Sequence, residues 1–160
     1  MSEQAKLDKV AAKARAEYVI ALFAKDDYDH TRLLHLIPAL AADVLALLPA
    51  PTPPTTPASA ARDALVAACV AEQEALENYE RDMGYGPYVG NYAPVREASN
   101  LRIARTAAYR KALTAHATPT TSADTLATAA VNWLFDYADD ADAKLGDVIR
   151  DYLAAQEPAP

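Results

Sequence analysis

Alanine is the feature that most constrains the fold of this chain, because it supplies roughly a quarter of the residues. Alanine is the strongest helix former, and the β-branched residues that favour strands are sparse. The 160 residues include only four glycines, which fits long uninterrupted helices. The composition therefore predicts an all-α fold, and a chain of this length can bury a sizeable core in one domain.

Six helical segments are separated by proline, glycine or acidic breaks. The periodicity predicts helices over about residues 3–24, 30–48, 57–82, 95–116 and 122–137, and a sixth that ends near residue 155. We predict a bundle of about six helices arranged as three helical hairpins, with residues 1–155 as a single domain. Residues 49–56 are predicted to be a proline-rich linker, and residues 156–160 a frayed tail.

Local signals predict several helix ends. Thr56 is placed to cap the third helix, with Pro57 at its first position. Thr121 and Asp124 have the spacing of a capping box for the fifth helix. Pro38 lies inside the second segment, where we expect it to kink or split the helix.

Apolar stripes predict the buried faces. The second segment is apolar on nearly all sides, so it is central in the fold or is covered by a partner, including a second copy of this chain. The third helix is expected to bury Leu65, Cys69, Leu76 and Tyr79. The face expected to be buried on the first helix consists of Leu7, Val10, Ala14, Tyr18, Ala21 and Leu22.

A loop over residues 83–94 carries three of the four glycines and three of the nine tyrosines. Tyrosine offers a large apolar ring with a polar tip, which suits contact surfaces. We therefore predict that Tyr85, Tyr88, Asn91 and Tyr92 bind a partner. The alternative is a packed connector whose rings lie on the end of the bundle.

The fourth helix is cationic within an acidic protein. Arg102, Arg105 and Tyr109 are spaced to share one face, and they are candidates for binding a phosphate, a nucleic acid or an acidic partner. The alternative is internal pairing with the acidic helices around it.

Carboxylates repeat on the third helix and continue on the fourth. Glu74, Glu77 and Glu80 recur every three residues, and Glu97 and Asn100 follow at the same interval. This layout resembles the all-α nucleotide pyrophosphohydrolases of the MazG type, which pair Glu-x-x-Glu and Glu-x-x-Asp helices. The resemblance implies an Mg²⁺ site on Glu74, Glu77, Glu80 and Glu97, although Asn100 stands where the family has Asp and Gln73 where it has a further Glu. It covers about a sixth of the chain.

Charge and the lack of a coherent catalytic set bound the function. The formal net charge of −7 argues against binding nucleic acid over the whole surface. One cysteine, Cys69, is expected to be a buried inert thiol, and the lack of a long apolar run predicts a cytoplasmic protein that does not enter a membrane. The leading hypothesis is a non-enzymatic protein-interaction module without cofactor, which binds another protein or itself. The alternatives are an Mg²⁺-dependent hydrolase of nucleotides and a protein that binds or mimics nucleic acid.

Overall fold

Six α-helices and no strand make up the described part of the chain, so the fold is all-α. In a computed structural model, the described residues are 3–24, 30–49, 56–83, 91–115, 121–135 and 141–157, with side chains described from residue 10 in the first range and 36 in the second. The helices are α1 (Glu3–Phe23), α2 (His30–Ala46), α3 (Pro57–Met83), α4 (Ala93–Ala115), α5 (Ser122–Phe135) and α6 (Ala141–Gln156). The proline-rich segment 50–55, residues 84–90 of the tyrosine loop and the tail 158–160 lie outside these ranges.

Helix packing in these ranges forms two closed rings of four helices that share α2 and α5. One ring consists of α1, α2, α5 and α6, and the other of α2, α3, α4 and α5. Each helix touches its neighbours in sequence, and α1 also touches α6. The three-hairpin arrangement and the single-domain boundary at residue 155 stay predictions, because these contacts do not single out three pairs.

The core lies where the two rings meet. Its largest contributions come from α2, including Leu40, Val44 and Leu45, and from α5, including Leu126 and Trp133. Burial on this scale drives folding, at about 25 cal/mol per Å² of apolar surface removed from water. The prediction that the second helix is central is therefore confirmed for its described side chains.

Pro38 does not split α2, and a kink, the other outcome that the sequence predicts, stays a prediction. The helix runs from His30 to Ala46 through the proline, which is itself buried. A proline removes one backbone hydrogen bond from a helix. Burial of its neighbours Ile37, Leu40 and Ala41 in the core outweighs that loss.

The predicted caps are confirmed. The Ser59 amide donates to Thr56 Oγ1 at 3.1 Å, which satisfies one of the open N–H groups at the start of α3. At α5, the Asp124 amide donates to Thr121 Oγ1 at 3.1 Å, and the Thr121 amide donates to Asp124 Oδ2 at 3.1 Å. The reciprocal bonds form a capping box.

The predicted buried face of α1 is wrong for four of its six residues. Val10 is 68% exposed and Tyr18 is 57% exposed, and Ala14 and Ala21 are exposed as well. Leu22 does pack against the core, and the side chain of Leu7 lies outside the described residues. The helix instead buries Ala16 and Val19, with Ile20 and Phe23 packed beside them. Alanine occupies both sides of α1, so the choice of face is made by the surfaces of α2 and α6 and not by the periodicity of α1 itself.

Helices α3 and α4 form the longest antiparallel pair and extend past the core. At 27 residues, α3 is about 40 Å long, whereas α5 has 14 residues and is about half as long. Core residues of α3 end at Cys69, and those of α4 begin at Tyr109. We call the outer part of this pair, residues 70–83 and 91–103, the hairpin arm.

Candidate partner-binding site on the hairpin arm

A seam with alternating three- and four-residue spacing joins α3 to α4. Such spacing keeps one stripe of each helix facing the other in a coiled coil. The stripe on α3 is Leu65, Cys69, Glu72, Leu76 and Tyr79, and the stripe on α4 is Val95, Ser99, Arg102, Thr106 and Tyr109. The prediction for α3 is confirmed, because Leu65, Cys69 and Leu76 are buried and Tyr79 is half-buried.

A buried ion pair crosses this seam at the root of the arm. The Arg102 guanidinium donates through Nε to the Glu72 carboxylate, and Glu72 is only 5% exposed. The Thr106 hydroxyl, also buried, donates to the Arg102 carbonyl at 2.8 Å. A buried charge without a partner is costly, so this pair favours one register of α3 against α4.

Cys69 lies beside the ion pair and is an unreactive thiol. Burial raises its pKa from 9.0 to about 12, while the positive charge of Arg102 lowers it and the negative charge of Glu72 raises it. The thiolate is the nucleophilic form of cysteine, so a thiol with this pKa stays protonated at neutral pH. The expectation of a buried inert thiol is confirmed.

The outer end of the arm forms a shallow cleft of about 320 Å³, which we call the end cleft. It is lined by Glu74, Asn78, Tyr79, Asp82, Asn91 and Pro94, together with two alanines. The ring of Tyr79 packs against that of Tyr92 edge to face, with centroids 5.1 Å apart. Asn91 accepts a hydrogen bond from the Ala93 amide at 3.1 Å and so fixes the start of α4.

The end cleft combines an aromatic wall with negative charge. Tyr92 is 52% exposed next to Tyr79, and Met83 nearby is exposed as well. Glu74 and Asp82 supply carboxylates, and the described lining contains neither lysine nor arginine. An aromatic ring beside carboxylates is suited to holding a cationic side chain.

The structure brings together some of the predicted partner-binding residues and separates others. Asn91 and Tyr92 lie at the end cleft, whereas Tyr85 and Tyr88 lie outside the described residues. Arg105 is exposed, but the Arg102 charge is paired inside the seam and Tyr109 is 3% exposed. Arg102, Arg105 and Tyr109 therefore do not form one open cationic face.

The alternative magnesium set is not assembled in the described ranges. Glu74, Glu77, Glu80 and Glu97 are all exposed. Among the described residues, no group of three or more His, Cys, Asp or Glu side chains is placed to hold a metal ion. The carboxylates whose spacing resembles that of the pyrophosphohydrolases therefore lie on solvent-exposed helix faces.

Self-association through α2 is not supported by its described side chains. Ile37, Leu40, Val44 and Leu48 are buried within the chain itself. The sequence allowed two interpretations of this segment: a central helix, or a helix covered by a partner. Residues 36–48 occupy the central position. In the ranges described, no helix has both the length and the apolar character needed to cross a membrane.

Sequence reasoning missed Glu72 and the Tyr79–Tyr92 contact. Glu72 has no distinguishing local signal for its pairing, because its partner Arg102 is 30 residues away. The available signal for its burial was the seam spacing itself, because Glu72 continues the stripe of Leu65 and Cys69. Asp142 was also missed: it is buried and accepts a hydrogen bond from Trp133 Nε1 at 2.7 Å.

No protein-family model matches the chain, and neither a curated protein nor a solved structure matches it.

Proposed function

We propose that this chain is a non-enzymatic protein-interaction module that binds a basic segment of a partner at the end cleft. The observation that carries the proposal is the Tyr79–Tyr92 pair, half open to solvent, beside the carboxylates of Glu74 and Asp82. Interfaces are enriched in tyrosine, and its rings are common binding hot spots.

The position of the cleft supports this proposal. It lies on the part of the hairpin farthest from the core, where the described side chains that face outward have no packing role. The arm is held in register by its own buried ion pair, so the cleft is presented on two fixed helices. A preorganised surface loses less conformational entropy when it binds.

The charge supports a basic partner. The whole chain carries a formal charge of −7, so it attracts a cationic segment before contact. A lysine or arginine side chain of the partner can pair with the carboxylates of the cleft and also lie against the tyrosine rings. A neighbouring apolar residue of the partner can pack on Met83 and Tyr92, which are exposed.

Selection from a random peptide display library tests the proposal. We expect enriched peptides to contain arginine or lysine beside an apolar residue, and their binding to weaken as salt rises. Glu74→Gln with Asp82→Asn should weaken that binding by about 10-fold or more, because both carboxylates are lost. The matched control is Glu77→Gln with Glu97→Gln, which removes the same charge from exposed residues that do not line the cleft.

Two outcomes contradict the proposal. One is selection of acidic peptides or of none. The other is an equal loss of binding in the cleft variant and in its control, which would assign the effect to net charge alone.

A further inference from the structure

A second cleft lies at the opposite end of α3 and α4, where four helix ends of one ring meet. It has a volume of about 390 Å³ and is walled by the end of α2, the start of α3, the last part of α4 and the start of α5. We call it the base cleft. Small-molecule sites commonly occupy clefts of about this size between the helices of a bundle.

Two helix N-termini open into the base cleft. Thr56 and Ser59 from the start of α3 line it, as do Thr121 and Ala123 from the start of α5. A helix N-terminus carries a partial positive charge of about half an elementary charge. The Ser59 and Asp124 amides are already bonded to the caps, so the amides of Ala58 and Ala123 are the donors that lie at the cleft. Both ends therefore favour a negative group placed between them.

Arg62 adds a full positive charge to the same side. Its side chain is largely buried, Nη1 donates to the Pro49 carbonyl at 2.9 Å, and Nε lies 3.5 Å from Asp63 Oδ1. A guanidinium has five N–H donors in a fixed fork. These two contacts hold its position and leave further donors for a ligand.

Tyr109 is a nine-tenths-buried side chain whose hydroxyl has no hydrogen-bond partner among the described residues. Tyr109 lines the base cleft. Burial raises its pKa to about 12, with Arg62 opposing and Asp124 adding to the rise, so the phenol keeps its proton and can donate it.

The remaining walls limit the ligand. Leu48, Leu113 and Ala127 form an apolar side. The Asp124 carboxylate, which accepts a hydrogen bond from the Thr121 hydroxyl at 2.8 Å, offsets part of the positive charge. A polyanion would be repelled by this carboxylate. A ligand with a single negative charge and an apolar body can place its charge on the positive side of the cleft and its body on the apolar side.

We propose that the base cleft binds a small monocarboxylate with an apolar body, whose carboxylate lies between Arg62, the Tyr109 hydroxyl and the start of α3. This site lies at the other end of the molecule from the end cleft. It depends on none of the residues of the proposed partner-binding site.

Titration with benzoate, followed by the backbone amide signals in NMR spectra, tests the proposal. We expect saturable shifts at millimolar benzoate for the amides of Ala58, Ser59 and Ala123 and none at the end cleft. Benzamide has nearly the same shape without the charge, so it should bind at least about 10-fold more weakly. Equal binding of both compounds, or no saturable shift with benzoate, overturns the proposal.

Two variants assign the contacts. Tyr109→Phe keeps the ring and should weaken benzoate binding by about 5- to 10-fold, whereas Tyr18→Phe on exposed α1 should leave it unchanged. Arg62→Gln should abolish the preference for benzoate over benzamide, whereas Arg105→Gln removes the same charge outside the cleft and should keep it. Binding unaltered by both cleft variants contradicts the assignment, and circular dichroism checks that each variant is folded.

Discussion

The core end and the hairpin arm are built from the same alanine-rich helices, yet different interactions hold them. At the core end, side chains from all six helices pack together around α2 and α5. In the arm, two helices are joined by one seam, and a buried ion pair stands at its root. The difference is consistent with the proposed binding site on the arm, because the tyrosine pair at its outer end lies outside the core cluster.

The largest expected effect comes from a cavity in the core end. Leu126 is fully buried, so Leu126→Ala should lower the free energy of unfolding by about 4 kcal/mol. The control Leu101→Ala, on the exposed surface of the arm, should cost less than about 0.5 kcal/mol. Urea denaturation measures both, and similar costs would remove the distinction between the two regions.

The ion pair should give the next largest effect. Arg102→Met leaves the Glu72 carboxylate buried without its partner and should cost about 3 kcal/mol, whereas Arg105→Met on the exposed face should cost little. Adding Glu72→Met to Arg102→Met should recover most of the loss, because no unpaired charge remains. If Arg102→Met is as stable as the control Arg105→Met, the ion pair does not stabilise the arm.

Alkaline pH should weaken the region where the arm meets the core. Burial raises the pKa of Tyr109 from 10.0 to about 12. The unfolded chain therefore releases this proton at lower pH than the folded protein. The contribution of Tyr109 to stability is full below pH 10 and is lost as pH rises towards 12, by about 2 kcal/mol. In Tyr109→Phe, the free energy of unfolding measured by chemical denaturation should decrease less across this pH range. An equal decrease in the variant and the parent protein would contradict the assignment.

Helix caps should have smaller effects. Thr56→Ala removes the acceptor for the Ser59 amide at the start of α3 and should cost about 1 kcal/mol. Thr121→Ala at α5 should cost a similar amount, because both hydrogen bonds of the Thr121 hydroxyl are lost, although the amide of residue 121 can still donate to Asp124. Thermal melting measures both. Thr114→Ala, late in α4 and exposed, is the control and should shift the midpoint less.

Tyr92→Ala should have the smallest effect on stability and a clear effect on binding. Half of the Tyr92 side chain is already in water, so its loss should cost less than about 1 kcal/mol. If the end cleft is the binding site, the same change should weaken the binding of the selected basic peptides by about 10-fold. Full binding by this variant would mean that the site does not include the tyrosine pair.

The helices and their ends follow from local signals in the sequence. Thr56 before Pro57, and Thr121 three residues before Asp124, mark helix starts through bonds made within a few residues. The buried stripe on α3 was also predictable, because Leu65, Cys69 and Leu76 stand out from a polar background. These features need no knowledge of the other helices.

The buried face of α1 and the contacts of the arm depend on long-range packing. Val10 and Tyr18 look like a core stripe, but the opposite side with Ala16 and Val19 is equally apolar. The contacts of α1 with α2 and α6 decide between them. The Glu72–Arg102 pair and the Tyr79–Tyr92 contact likewise require the register of two helices, which local spacing does not specify.

Native-state hydrogen exchange tests the central distinction most directly. We predict that amides of residues 73–83 and 93–101 exchange through an opening of the arm that requires less free energy than global unfolding. Amides of α2 and α5 around Val44 and Leu126 should exchange only through global unfolding. A single opening free energy shared by the arm and the core would contradict the account.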